Sequence, residues 1–252
     1  MIEVLDFHKH YDGVFAVKGL TFTVQPGQVL GLVGPNGAGK TTTLRALCGI
    51  IPPTRGALRI GGHDVRKEAV SAKRLLAYVP DDPKLFDLLT VWEHFRYYAG
   101  AYEVHGWEDV ASDLLRSFEL EEKRNALGAE LSRGMRQKLA VCCAYLHKPK
   151  ALLLDEPLTG VDPHGIRTTK DSIREYAAGG GAIIMSSHIL DLVEDLCSHL
   201  LILHRGECLY VGTLDEARSA FDGLHGEASL EEIFLRATRT EGAVPPPLAP
   251  ER

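Results

Sequence analysis

The sequence predicts an α/β fold with a mainly parallel central sheet, an N-terminal antiparallel β portion and an α-helical insert. Three observations lead there. Short apolar, β-prone runs at 29–33, 151–154, 182–185 and 200–203 alternate with helical patterns, as expected of a parallel sheet buried on both faces. Two further strand-like runs, 2–7 and 20–24, come before any helical pattern. From about 90 to 147 the periodicity is helical throughout, and such a block inside an alternating chain reads as an insert.

In chain order, the run 2–7 alternates apolar and polar side chains and has neither a basic n-region nor an apolar h-region, so a secretory leader is not expected. Pro26-Gly27 forms a turn that feeds the strand 29–33. Residues 34–42 then read G-P-N-G-A-G-K-T-T, which fits the P-loop pattern G-x-x-x-x-G-K-[ST], and a helical pattern begins at Thr43. A strand at 57–60, a Gly61-Gly62 turn, a short helix at 66–74 and a strand at 75–79 follow, until Pro80-Asp81-Asp82-Pro83 stops the last. In the insert, Trp92, Phe95 and Tyr98 or Ala99 share one face, and Val110, Leu114, Leu115 and Phe118 the next. Ser132 is a good N-cap for a helix whose apolar positions are Met135, Leu139, Cys142 and Leu146. Helices are expected at 163–178, ended by Gly179-Gly180-Gly181, at 189–196 and at 230–238. The proline-rich end is expected to be disordered.

Composition narrows the function. The chain has 252 residues, 45% of them hydrophobic, and a net charge of −6 without a visible basic stripe, which speaks against nucleic acid as the partner. Its five cysteines show no C-x-x-C or Cys/His metal spacing and read as reduced, mostly buried thiols. No apolar run approaches the roughly 18 residues of a membrane span.

The chemistry begins in the loop 34–42. Gly34, Gly37 and Gly39 let backbone N–H groups wrap an anion without a Cβ in the way, and the following helix points its positive end at the same place. Lys40 would reach the β- and γ-phosphates, and the Thr41 hydroxyl would ligate Mg²⁺. Asp155 and Glu156 follow directly on a buried strand; beside a P-loop, one carboxylate suits the metal and the other a water, although two acids could equally cap the turn before Pro157. His188, after another strand, could donate to a γ-phosphate oxygen or serve as an N-cap or surface residue. Tyr11 could stack on an adenine ring or sit in the core.

With these residues in hand, the chain resembles the nucleotide-binding subunit of ATP-binding cassette (ABC) transporters over about residues 2–212. The elements occur in the family's order: Tyr11, the P-loop, a loop after Val79-Pro80, the signature Leu131-Ser132-x-Gly134, Asp155-Glu156-Pro157 and His188, with Gly160-Val161-Asp162-Pro163 similar to the D-loop. The resemblance implies an ABC ATPase domain over 1–239. Its P-loop NTPase core, RecA-like, would span about 1–86 and 148–212, its helical subdomain about 87–147 and a C-terminal helical extension about 213–239, before a disordered tail at 240–252.

The same resemblance implies ATP and Mg²⁺. Tyr11, Gly34, Asn36, Gly37, Ala38, Gly39, Lys40, Thr41 and Thr42 would hold the nucleotide, and Thr41, Asp81 and Asp155 the metal. Glu156, His188 and Lys40 would be catalytic. Ser132, Gly134 and Asp162 would act across a head-to-tail pair, each copy completing the other's site. The implied partners are a second nucleotide-binding subunit, expected to be an identical copy so that the pair is a homodimer, and a transmembrane permease docked near Asp81 and the helical insert. The chain would then lie in the cytoplasm, peripheral on the inner face of the cell membrane. Two departures stand out. Asp81 replaces the usual Gln, and Arg133 and Met135 replace a Gly and a Gln in the signature, a variation similar to exporters of drugs, lipids and other hydrophobic molecules. An ATPase acting off the membrane, in DNA repair or on ribosomes, is the alternative; the single cassette, acidic charge and lack of a basic arm or coiled-coil insertion count against it. A nucleotide sensor without turnover would have no need of Glu156.

Overall fold

A computed structural model describes residues 1–221 and 229–239. The chain opens with β1 (Ile2–Tyr11) and β2 (Val14–Val24), longer than the sequence suggests. Asp12 and Gly13 join them with φ of 37° and 90°, the two positive angles that a two-residue hairpin twisted like its strands requires. β3 (Val29–Val33) runs through the glycine-rich loop into α1 (Lys40–Leu47). β4 (Arg55–Ile60) and the short β5 (His63–Asp64) rejoin the first sheet, antiparallel in the order β2-β1-β4-β5. α2 (Ala69–Arg74) begins three residues later than expected, because the Asp64 carboxylate accepts from the N–H groups of Arg66 and Lys67 and holds that segment as a turn. β6 (Leu76–Val79) then enters the second sheet.

The helical block is three α-helices rather than one run. α3 (Val91–Tyr102) starts at a capping box between Thr90 and Glu93 and stops at Glu103, whose φ is 57°. α4 (Trp107–Ser117) packs on it through Trp92 and Trp107, ring centroids 4.8 Å apart. Two single turns of 3₁₀ helix lead to α5 (Arg133–Tyr145), capped by the Ser132 hydroxyl, which accepts from the Met135 N–H at 3.3 Å. β7 (Ala151–Asp155), α6 (Pro163–Ala178), β8 (Ala182–Ser186), α7 (Leu190–Leu196) and β9 (His199–His204) restore the alternation. β10 (Glu207–Thr213) has no counterpart in the sequence reading, whereas α8 (Leu214–Phe221) falls inside the stretch 213–239 expected to be helical and α9 (Leu230–Arg239) matches the helix expected at 230–238. The expected tail at 240–252 lies outside the described residues.

The second sheet has the order β10-β9-β3-β8-β7-β6, with four parallel pairings and one antiparallel, that of the edge strand β10 with β9. Side chains alternate between two cores. Val29, Val33, Leu152, Leu154, Ile183 and Met185 face α3 to α9, while Leu30, Leu32, Leu153, Ile184 and Leu201 face α1 and the first sheet. Both faces are therefore dry, and the open ends of the strands are where polar groups gather. Gly31 has no side chain because α7 lies against it: a Cβ there would come within 2.3 Å of Val193. Cys48, Cys142, Cys143 and Cys197 are buried free thiols, and Cys208 is half-buried.

Candidate active site

The loop between β3 and α1 is fixed from both sides. A Cβ on Gly34 would lie 2.2 Å from the Leu203 carbonyl oxygen in β9, and one on Gly39 would lie 2.5 Å from that of Ala16 in β2. Gly39 also holds φ at 109° and Gly37 at 80°, conformations that L side chains rarely adopt. The Gly206 N–H donates to the Ala38 carbonyl at 3.0 Å, tying the loop to the turn after β9. α1 has neither a side-chain cap nor an acid in its first turn, so its leading N–H groups face the cleft with no carboxylate over them.

Lys40 folds back over this cradle, its Nζ donating to the carbonyls of Gly34 at 2.6 Å and Pro35 at 3.3 Å. Burial pulls its ammonium below the ordinary lysine value, opposed by the carboxylates of Glu156 and Asp155. Asp155, at the end of β7, is 3% exposed and accepts from the Thr41 hydroxyl at 3.3 Å, the Tyr78 hydroxyl at 3.3 Å and the Ser186 hydroxyl at 2.5 Å. Parallel pairing sets Asp155 opposite Ser186, which explains the last contact. Glu156 leaves the strand at φ 51°, and its N–H donates to the Ser186 carbonyl at 3.1 Å and hydroxyl at 3.2 Å. Its Oε2 lies 2.8 Å from Nδ1 of His188. The N-cap of α7 is Ile189, which leaves His188 free of a capping role.

Lys40, Thr41, Asp155 and Glu156 share a cleft of about 230 Å³, which the exposed His188 reaches only through its contact with Glu156 and whose other lining residues are Ala16, Pro35, Asn36, Gly37, Ala38, Gly39, Thr42 and Asp81. Its donors are N–H groups, one ammonium and several hard oxygens. That set suits a polyphosphate with Mg²⁺, which takes one or two carboxylates and completes its shell with phosphates and water. No cluster of three His, Cys, Asp or Glu that could hold a metal ion occurs among the described residues.

Ser132, Gly134 and Asp162 gather elsewhere. Gly134 packs so closely on the 160 loop that a Cβ would lie 2.7 Å from the Gly160 carbonyl oxygen. Asp162 caps α6, accepting from the Gly165 N–H at 2.8 Å, and pairs with the buried Lys138 ammonium at 2.8 Å. Lys138 and then the Gly165 N–H hold its carboxyl down at about 2. Ser132 is exposed, and none of the three lines the cleft. Tyr11, 44% exposed at the hairpin tip beneath the Lys9 ammonium, does not line it either and is not a core residue. Sequence reasoning missed Tyr78 and Ser186. Ser186 stands two residues before His188 in a strand register that only the folded sheet reveals.

Residues 17–159 match the ABC transporter family. The chain is 34% identical to the ABC-type transporter ATP-binding protein EcsA of Bacillus subtilis, over 96% of this chain and 98% of that one. It is 36% identical to the Nod factor export ATP-binding protein I of Burkholderia pseudomallei, over 84% and 70% respectively. A solved ATP-binding subunit of an ABC transporter superposes with a TM-score of 0.90 at 38% identity, covering 94% of this chain and 99% of that one.

Proposed function

The chain belongs to the family of ABC transporter ATP-binding proteins, which hydrolyse ATP to power transport, and on that premise we propose that it works as one of two copies that close on ATP to drive an exporter. The observation that carries this reading is the cleft in which Lys40, Thr41, Asp155 and Glu156 converge while Ser132, Gly134 and Asp162 lie outside it. In this reading one chain holds a phosphate cradle, and Ser132, Gly134 and Asp162 serve the phosphate held by a neighbour.

In this reading the loop N–H groups and Lys40 bind the phosphates, and Thr41, Asp155 and Asp81 supply oxygens to Mg²⁺, which neutralises phosphate charge when bound. Glu156 takes the proton of the water that adds to the γ-phosphorus as the bond to ADP breaks. His188 orients Glu156 through the 2.8 Å contact and would donate to the same phosphate. Tyr11 lies on the adenine side. Export is favoured by the Arg133-Gly134-Met135 form of the signature and by a relative named for Nod factor export. No helix among the described residues is long and apolar enough to cross a membrane; the relatives named as transporter ATP-binding proteins support a permease as the partner that supplies the path. Phe86 and Leu88, 46% and 85% exposed, offer it an apolar contact on the cytoplasmic face, while Leu85 is partly buried against the core.

Replacing Glu156 tests the site directly. Glu156→Gln is expected to cut ATP turnover about 100-fold or more with ATP binding intact, and Lys40→Ala to abolish tight binding. Unchanged turnover in Glu156→Gln overturns the assignment of the base.

A further inference from the structure

The two places where the chain departs from its family's pattern touch each other. Arg133 Nη2 donates to Asp81 Oδ1 at 3.2 Å across 52 positions of sequence. Both side chains are about half exposed, 54% and 51%, so the bond is open to exchange. Asp81 also lines the cleft with Lys40, Thr41, Asp155 and Glu156. The stem of Arg133 lies across Gly160, where an added Cβ would be 3.2 Å from its Cδ, and this contact directs the guanidinium. One turn further along α5, Arg136 Nη2 pairs with Asp87 Oδ1 at 3.3 Å. The loop after β6 is therefore tied at both ends to the signature helix, and only the first tie uses a group that faces the cleft.

We infer that Asp81 has two competing cationic partners, Arg133 of its own chain and the Mg²⁺ that accompanies the nucleotide, and that Arg133 is a positioning residue which holds this carboxylate back until the metal arrives. The inference rests on the reading of the cleft as an ATP·Mg²⁺ site. A glutamine at position 81 would offer an arginine no full charge, so the paired departures make chemical sense together. Lys84 pairs with Asp82, which leaves Arg133 as the cation bonded to Asp81. A half-exposed ion pair changes an equilibrium by no more than about five-fold, and the competition is expected on that scale.

Equilibrium ATP binding, titrated with Mg²⁺, tests this without reference to turnover. Arg133→Gln is expected to lower the half-saturating Mg²⁺ concentration about two- to five-fold, and Arg133→Lys to restore the original midpoint. Asp81→Asn is expected to raise the midpoint, and adding Arg133→Gln to it to change nothing further. Arg136→Gln, which cuts the other tie and removes the same charge, is expected to leave the midpoint in place. An unmoved midpoint in Arg133→Gln, or an equal shift in the Asp81→Asn background, overturns the inference while leaving the ATP site standing. Failure of the unaltered chain to bind ATP with Mg²⁺ rejects the site itself.

Discussion

A methyl group added at Gly34 would meet the backbone of β9 at 2.2 Å, whereas one added at Gly37 would meet nothing within 4 Å. Gly37 is required for its φ of 80° and Gly34 for the space. The two substitutions therefore fail differently. Gly37→Ala is expected to cost about 1–2 kcal/mol of left-handed strain, a Tm fall of about 2–8 °C, and to retain measurable ATP binding. Gly34→Ala has to push the loop off β9, and is expected to lower Tm further and lose binding. Thermal unfolding with and without ATP separates them, and equal effects at both positions refute the distinction. This loop was legible in the sequence because its chemistry is local: glycines, lysine and threonine act within a few residues of one another. Asp155 and Glu156 were legible for the same reason. The ties of Asp155 to Ser186 and of Asp81 to Arg133 were not, since each joins residues that only the folded chain brings together.

Between β6 and α3 the chain turns on His94, which is fully buried. Its Nδ1 donates to the Thr90 carbonyl at 2.7 Å, and its Nε2 accepts from the Phe86 N–H at 3.0 Å, an arrangement open only to the neutral ring. Burial lowers its pKa from the ordinary 6.5, opposed by the Thr90 carbonyl and the charge of Glu93. The neutral form belongs to the fold, so the stabilisation is complete above pH 6.5 and is lost as pH falls below it towards the depressed folded value. His147 and His199, lowered by burial as well, add to the same limb. Urea midpoints are expected to fall between about pH 7 and 5, and His94→Gln to flatten that slope; an unaltered slope rejects the role of His94. At this scale the sequence revealed most of the parallel strands, since apolar runs between helical patterns are unambiguous, and it revealed the helices with strong caps or glycine stops. It did not reveal β5 or β10. The first is two residues long, and the second is an edge strand of mixed burial whose pattern needs its neighbour β9 to be read.

Across the whole molecule, the cradle at the ends of β3 and β7 and the patch around Ser132, Gly134 and Asp162 lie apart in a single chain, and in the proposed reading they are two half-sites. A head-to-tail pair would join each cradle to the opposite patch and create two equal sites, so nucleotide becomes part of the interface it closes. Binding then favours the pair by mass action, and hydrolysis removes that advantage. The consequence is a mass that depends on nucleotide. With ATP and Mg²⁺, Glu156→Gln is expected to sediment at about twice the 27.6 kDa of one chain, because binding proceeds while the reopening step is slowed. Without ATP, or with Lys40→Ala, the single-chain mass is expected. Ser132→Arg places bulk and charge on the patch and leaves the chain's own cradle untouched, so it is expected to bind ATP and stay single. Light scattering of these four samples decides the matter: a Glu156→Gln chain that holds ATP yet remains single rules out closure through nucleotide, and a Ser132→Arg chain that still pairs rules out the patch as the surface that closes.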